Sequence, residues 1–161
     1  IITDGKDEVC LASRSGKAIR FKETDVRPMG RSTRGVKGMN ITKEDNVISI
    51  IKVNTESNLL TLSENGYGKR TNISEFGGQK RGGKGVIALN TSERNGMMVA
   101  AVQVLDGDEV MLIGNRGTLI RTQVDQISVI GRNTQGVKVV STREDEKLVD
   151  AVGFKESLDE E

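Results

Sequence analysis

The sequence predicts an all-β, propeller-like protein built from three repeats of about fifty residues. Two observations lead to this prediction. The chain aligns with itself at a spacing of 50 or 51 residues, and each repeat holds short β-branched segments separated by glycine-containing turns. Four short strands per repeat are typical of blades that bury their faces by stacking on neighbours. Closed propellers contain about four to eight blades, so three repeats predict a partial ring.

The repeats span residues 7–56, 57–107 and 108–157, and together with residues 1–6 they are predicted to form one domain, 1–157. Four positions recur in register: Gly16, Gly66 and Gly117; Arg20, Arg70 and Arg121; Arg31, Arg81 and Arg132; Gly35, Gly85 and Gly136. Residues 1–3 resemble the end of a further repeat, so we expect the chain to begin within an array. Residues 158–161 are predicted to be an acidic, disordered tail.

Each repeat is predicted to contain four strands in its own sheet. The predicted strands are 9–12, 18–21, 36–41 and 47–53 in the first repeat, 59–62, 67–71, 86–89 and 97–104 in the second, and 110–113, 118–121, 137–140 and 148–152 in the third. A tight turn joins the first two strands of each repeat, and its glycine supplies the positive φ that a hairpin needs.

Composition excludes several function classes. The chain has no histidine and one cysteine, Cys10, which we expect in the core, so zinc sites, Ser-His or Cys-His nucleophiles and an intramolecular disulfide are not expected. No apolar run is long enough to cross a bilayer, and the first residues do not resemble a signal peptide. We therefore expect a cytoplasmic protein with no membrane partner.

The net charge is only +1, but the charges are unevenly distributed along each repeat. Segments 14–37, 69–84 and 116–138 together hold 17 of the 24 basic residues and 4 of the 23 acidic residues. Equivalent segments of a repeat lie at equivalent places in the array, so these segments predict a positive stripe, the footprint of a protein that follows a nucleic-acid backbone. The alternative is an ordinary solvated surface of mixed charge.

The segment GGQKRGGKG, residues 77–85, is the sharpest local motif. Gly78, Gly83 and Lys84 satisfy most of a nucleotide-binding loop, but Gly85 stands where a Ser or Thr hydroxyl would hold Mg²⁺, and a predicted strand follows in place of a helix. A basic loop whose backbone approaches phosphates is therefore favoured over nucleotide hydrolysis. A flexible loop without a ligand remains the third interpretation.

QKRGGKG, residues 79–85, resembles the glycine-rich basic box of the C-terminal DNA-wrapping domain in the A subunit of bacterial DNA gyrase. The segments DEVCLASRSGKAIRFKETDVRPMG, NGYGKRTNISEF, TSERNG and GTLIRTQVDQISVIGRNTQGVKVV are similar to late repeats of the same family. The resemblance implies a six-bladed β-pinwheel in which neighbouring blades exchange strands and DNA bends around a basic rim. It also implies that these are blades four to six, whereas the family's box usually lies in the first blade.

The resemblance further implies the partners. These would be double-stranded DNA, the N-terminal region of gyrase A, and the gyrase B protein, in a complex of two A and two B subunits associated with the nucleoid. ATP and Mg²⁺ would be used elsewhere in that complex, and no cofactor is expected in this chain. Tyr67, the only tyrosine, has no nearby cluster of metal-binding carboxylates and is not expected to be the strand-cleaving nucleophile, so the chain would contribute geometry to negative supercoiling and contain no catalytic site.

We expect sequence-tolerant duplex binding along the basic stripe. The residues predicted to contact DNA are Lys17, Arg20, Lys22, Arg31, Arg34, Lys37, Lys69, Arg70, Gln79, Lys80, Arg81, Gly82, Gly83, Lys84, Arg116, Arg121, Arg132 and Lys138. Three alternatives remain at this point: the C-terminal domain from the A subunit of topoisomerase IV, a propeller-like protein-interaction module, and a nucleotide-binding enzyme.

Overall fold

The computed structural model describes residues 1–155, which form three antiparallel sheets. Their strands are β1 (Glu8–Ser13), β2 (Lys17–Lys22), β3 (Val47–Lys52), β4 (Asn58–Ser63), β5 (Tyr67–Asn72), β6 (Val86–Ile87), β7 (Met98–Val104), β8 (Asp108–Gly114), β9 (Leu119–Gln123), β10 (Val137–Lys138) and β11 (Leu148–Lys155). The only helical elements among these residues are three-residue 3₁₀ turns at Glu23–Asp25, Ile73–Glu75 and Val124–Gln126. The all-β prediction is confirmed.

The outermost strand of a blade comes from the next repeat. The strand orders are β3-β1-β2-β6, β7-β4-β5-β10 and β11-β8-β9. β6, from the second repeat, pairs with β2 of the first through Lys17 opposite Ile87. β10, from the third repeat, pairs in the same way with β5 through Lys138 opposite Tyr67. The strand exchange implied by the family resemblance is therefore present at both junctions.

This exchange corrects two sequence-based predictions. A blade's four strands do not all belong to one repeat, and the segment 36–41 is not a strand. Its counterparts β6 and β10 pair with the second strand of the preceding repeat, and the described chain holds no repeat before residue 7 for 36–41 to pair with. The third sheet has three strands for the matching reason, since residues 1–155 include no further repeat that could supply a fourth.

Two hairpin glycines, Gly16 and Gly66, hydrogen-bond to the exchanged segments as well as forming the turns. Gly66 has φ +82, and its carbonyl oxygen accepts hydrogen bonds from the amides of Val139 (2.8 Å) and Val140 (3.2 Å), which follow β10. Gly16, at φ +87, accepts in the same way from Ala88 and Leu89. Gly16 and Gly66 therefore each anchor the segment donated by the next repeat.

The hydrophobic core lies mainly between the blades. Leu59, Ile73 and Phe76 of the second repeat pack against Cys10 and Ala18 of the first. A second cluster joins the second and third repeats, with Leu60 and Leu62 against Leu112 and Val124 of the next repeat. Stacking thus buries sheet faces that a single blade would leave exposed. Cys10 lies in this core as predicted, and burial raises the pKa of its thiol to about 12.

The fourth strand of each repeat lies at the inner edge of the array. β7 contacts both β3 and β11, so the fourth strands of neighbouring repeats lie side by side. The donated strands β6 and β10 lie at the opposite edge of their sheets and form the outer rim. Residues 1–155 contain no helix with the length and apolar character needed to span a bilayer. The predicted acidic tail, 158–161, lies outside the described residues.

Candidate nucleic-acid interface

The glycine-rich box, residues 79–85, lies on the outer rim. It leads directly into β6, the outermost strand of the first blade. Backbone hydrogen bonds fix it to the first repeat: the Gln79 amide donates to the Arg20 carbonyl at 2.7 Å, and the Asn40 amide donates to the Gly83 carbonyl at 2.8 Å. The loop is therefore ordered by the blade beneath it.

Glycine is required where the box turns into β6. Gly85 has φ +74, and a side chain there would bring its Cβ to 2.6 Å from the carbonyl oxygen of Ala18. The backbone of the box can therefore lie directly on β2. Lys80 and Lys84 are exposed on this loop, and Lys84 lines the same shallow cavity as Lys17. These ammonium groups are available to a phosphate backbone.

The structure divides the predicted contact residues by exposure. The exposed ones are Lys22, Arg31, Arg34, Lys37, Lys80, Lys84, Arg116, Arg121 and Lys138. The half-buried ones are Lys17, Arg20, Gln79, Arg81, Gly82, Gly83 and Arg132. Lys69 and Arg70 are buried.

Arg20 and Arg70, at equivalent positions, fasten each blade to the next. The Arg20 guanidinium pairs with Glu8 and donates to the Ile73 carbonyl at 3.1 Å. Arg70 donates to the Ile127 carbonyl at 2.7 Å and pairs with Asp106 at 2.6 Å. The prediction that these two arginines contact DNA is corrected, because their guanidinium groups are largely buried and are bonded to carbonyl oxygens of the next repeat and to carboxylates of their own repeat.

Arg121 occupies the same position in the third repeat. Its side chain is 58% exposed, against 12% for Arg20 and 8% for Arg70. It pairs with Glu109 and lies over the ring of Phe154, 5.2 Å from the ring centre. Exposure at this position therefore depends on whether a neighbouring blade covers it.

Arg81 and Arg132 fasten each repeat to the one before it. Arg81 donates to the carbonyl oxygens of Asp25 (2.7 Å) and Lys37 (3.1 Å). Arg132 donates to the carbonyl of Ile87 at 3.2 Å, and Ile87 is the counterpart of Lys37 one repeat later. The regular recurrence of arginine in this sequence thus reflects blade-to-blade attachment at these four positions, and it is not by itself a sign of phosphate contacts.

Lys69 also departs from the prediction. Its side chain is completely buried, and its ammonium donates to carbonyl oxygens of the loop 131–134. Burial lowers the pKa of Lys69 to about 8; the negative charge of Glu75 raises it by less, and the positive charge of Arg132 lowers it slightly further. It cannot reach a phosphate from this position.

A basic group that the sequence analysis did not identify lies beside the rim strand β10. The guanidinium of Arg94 lies 4.8 Å from the centre of the Tyr67 ring, and the Lys138 ammonium lies 5.4 Å from it. A hydrogen bond from Arg94 and the two positive charges lower the pKa of Tyr67. Arg94 lies outside the basic segments of the sequence, so no sequence signal linked it to Lys138.

The structure gives little support to a nucleotide or metal site. The box runs into the strand β6, so it lacks the helix N-terminus that completes a nucleotide-binding loop. Within residues 1–155 one cluster of three carboxylates is compact enough to hold a cation, and it consists of Asp4, Asp7 and Glu23. Asp7 pairs with Lys52 at 2.9 Å, and Glu23 accepts a hydrogen bond from the Asp7 amide at 2.7 Å, so both already have partners in the protein.

Three blades joined by strand exchange, with exposed lysines beside the outer strands of the first two, define a propeller-like protein whose rim suits a polyanion. A family model described as DNA gyrase C-terminal domain, beta-propeller, matches residues 7–54, 57–104 and 108–152. The chain belongs to this family. The matched region corresponds to the C-terminal domain of a type II topoisomerase subunit, not to its catalytic domain.

Individual relatives agree with this assignment. The A subunit of DNA gyrase from Pseudomonas aeruginosa is 53% identical over 92% of this chain and 16% of its own length. The Escherichia coli K12 protein of the same name is 48% identical over 99% of the chain and 18% of its own length. The chain therefore spans less than a fifth of these relatives.

Solved structures match over nearly the whole chain. A DNA gyrase A C-terminal domain superposes with a TM-score of 0.87 at 32% identity, covering 94% of this chain and 52% of that one. The C-terminal domain of a DNA topoisomerase IV superposes with a TM-score of 0.90 at 24% identity, covering 96% of this chain and 49% of that one. At that identity the second match shows a shared fold only.

Proposed function

We propose that this chain binds double-stranded DNA along its outer rim without sequence preference and bends it. The observation that carries the proposal is the place of Lys80 and Lys84: both are exposed on an ordered glycine-rich loop beside the outermost strand of a blade. Lys37 and Lys138 are exposed in the equivalent segments of the neighbouring repeats. Lysines spread along a curved edge suit a continuous phosphate backbone.

The energetics are compatible with bending. Smooth bending of a 20–30 bp site by 40–90° costs on the order of 1–6 kcal/mol, which several distributed phosphate contacts can offset. Among the described residues there is no α-helix to enter the major groove, so the binding energy would come from the DNA backbone and be strongly salt-dependent.

Within a whole gyrase, this module would hold a bent DNA segment for the regions that cleave and pass DNA. Its partners would then be the N-terminal region of gyrase A, and the gyrase B protein, in a complex of two A and two B subunits. ATP and Mg²⁺ would be used in those other regions, and the complex would act on the chromosome in the cytoplasm. The family match and the gyrase A relatives support this context.

The test is binding to a duplex of about 40 bp labelled at both ends, titrated at several salt concentrations. We expect affinity that falls steeply with salt and end-to-end shortening detected by energy transfer. The Lys80→Ala/Lys84→Ala variant should weaken both, and Lys43→Ala, at an exposed lysine outside the basic segments 14–37, 69–84 and 116–138, is the control. No binding at low salt would overturn the proposal and favour a protein-interaction module, whereas binding without shortening would overturn the bending part of it.

A further inference from the structure

Lys69, on β5, is the largest completely buried side chain among the described residues. Its Nζ donates to the carbonyl oxygens of Gly131 (2.8 Å) and Thr134 (3.2 Å), to Thr134 Oγ1 (3.0 Å) and to the carbonyl oxygen of Arg132. All of these acceptors belong to one loop of the next repeat. That loop, 131–134, is the counterpart of 80–83 in the glycine-rich box.

The other two repeats have no such group. The residues equivalent to Lys69 are Ile19 and Ile120. Ile19 is buried beneath the box, where its Cδ1 lies 3.3 Å from the position that a Cβ on Gly83 would occupy. The loop 80–83 therefore rests on the apolar side chain of Ile19, whereas the carbonyl oxygens of the loop 131–134 surround the amine of Lys69.

The loop held by Lys69 connects the second and third repeats. The amide of Asn90 donates to the Thr134 carbonyl at 2.8 Å, and the amide of Arg132 donates to Glu75 at 3.1 Å. Because the Thr134 carbonyl accepts from both Lys69 and Asn90, movement of the loop would break both hydrogen bonds. Without the Lys69 amine, the Gly131 and Thr134 carbonyls would each keep one donor, but the Arg132 carbonyl would lose the donor that Lys69 supplies and would carry the cost of an unpaired acceptor.

We propose that Lys69 is a positioning residue: its amine acts as an internal cation that holds the rim loop 131–134 against the second blade, and so sets where the third repeat meets DNA. The second part of the proposal rests on the proposed function. The chemistry is that of an ammonium ion surrounded by carbonyl oxygens, a site that a small alkylammonium ion fits when the lysine side chain is removed.

The experiment is chemical rescue of the Lys69→Ala variant, and its readout is amide hydrogen exchange measured on the whole chain. The reporter is the Asn90 amide, and the internal control is the Asn40 amide, which makes the equivalent hydrogen bond to Gly83 at 2.8 Å above Ile19. We expect roughly tenfold faster exchange at Asn90 with little change at Asn40, the scale of losing a hydrogen bond to a charged group. Added n-propylammonium should restore protection, whereas n-propanol or NaCl at the same concentration should not.

Lys69→Met serves as the second variant, because it fills the space without donating a hydrogen bond. It should also expose the Asn90 amide, and n-propylammonium should not rescue it, since the methionine occupies the site. Unchanged exchange at Asn90 in both variants, equal acceleration at Asn40, or rescue by n-propanol would each overturn the positioning role.

The affinity for DNA is measured separately from amide exchange. With the duplex described above, Lys69→Ala should weaken affinity, and n-propylammonium should recover it at constant ionic strength. If the exchange results hold while affinity is unchanged, the link between Lys69 and DNA is wrong. If the unaltered protein does not bind DNA at all, the proposed function fails, and the exchange measurement still decides the role of Lys69 in the loop.

Discussion

The guanidinium of Arg81 donates a hydrogen bond to the carbonyl oxygen of Lys37, 3.1 Å away, and so ties the glycine-rich box to the preceding repeat. The side chain of Lys37 is itself exposed. The two basic residues therefore differ in role: the arginine supports the loop, and the lysine is available to a ligand. This division gives the first prediction.

Arg81→Ala should lower the free energy of unfolding by about 1–2 kcal/mol, because it removes donors from two backbone carbonyls.

Lys80→Ala/Lys84→Ala should leave the free energy of unfolding nearly unchanged. It should reduce the steepness of log K against log salt by up to roughly two, since each phosphate that is no longer neutralised reduces it by about 0.9. Urea unfolding and a DNA salt titration measure the two effects. A stable Arg81→Ala protein with a reduced slope would show that Arg81 contacts phosphate.

Arg70→Met should destabilise the protein by roughly 2 kcal/mol, because the Ile127 carbonyl would lose a charged donor in a buried setting. Asp106 is exposed and can be solvated, so its loss of a partner adds little. The control is Arg34→Met, at an exposed arginine, for which we expect a change within about 0.5 kcal/mol. Equal effects of the two substitutions in urea unfolding would contradict the fastening role of Arg70.

Gly66→Ala and Gly117→Ala are a matched pair of substitutions that test the strand exchange. Both glycines have φ of about +80 (+82 and +83), so alanine carries a similar backbone strain of about 1–2 kcal/mol at either position. A Cβ at Gly66 would lie 2.2 Å from the Val140 carbonyl oxygen, whereas nothing lies within 4 Å of one at Gly117.

We therefore expect Gly66→Ala to cost roughly 1–3 kcal/mol more than Gly117→Ala in urea unfolding. The extra cost arises because the segment after β10 must move away from the hairpin. Equal costs would mean that this segment does not lie against Gly66 in solution.

The free energy of unfolding should depend on pH in part through the titration of Lys69. Burial lowers the pKa of this amine to about 8 in the folded protein, against 10.5 for an ordinary lysine. Between these two values the unfolded chain binds a proton that the folded chain has released, so the contribution of Lys69 to the free energy of unfolding rises with pH. Below about pH 8 both states are protonated and the contribution is constant.

Urea unfolding at pH 7, 9 and 10 of the unaltered protein and of Lys69→Met measures this contribution as a difference, in which the other titrating groups cancel. We expect the difference to shift in favour of the unaltered protein as the pH rises. The neutral amine still donates hydrogen bonds to the loop, while the cost of burying a charge disappears. A difference that is flat or falls with pH would contradict the lowered pKa.

Much of the fold could be predicted from the residues because its signals are local. Glycines at a spacing of 50 or 51 residues indicate the hairpins. The β-branched segments between them predict the described strands to within two or three residues at each end; for example, the sequence predicts a strand at 118–121, and β9 lies at Leu119–Gln123. The segment 36–41 was predicted wrongly, although it resembles its counterparts in composition. A strand needs a hydrogen-bonding partner, and the partner of this segment would come from another repeat.

The candidate interface was harder to predict. The sequence located the basic segments and the glycine-rich box, and Lys80 and Lys84 are exposed as that interpretation requires. It could not separate these lysines from Arg20, Arg70 and Arg81, which lie in the same segments. Whether a cation faces solvent or a backbone carbonyl depends on groups 44 to 57 residues away in the chain.

The amino-acid sequence by itself determined the repeat length, the strand-rich blades, the family resemblance and the place of the basic box, because periodicity and turn chemistry act over a few residues. Only the tertiary structure decided which repeat supplies the outer strand of each blade, which arginines fasten blades together and why Lys69 is buried. These outcomes depend on the stacking of neighbouring repeats, where the same residue type is enclosed at Arg70 and largely exposed at Arg121.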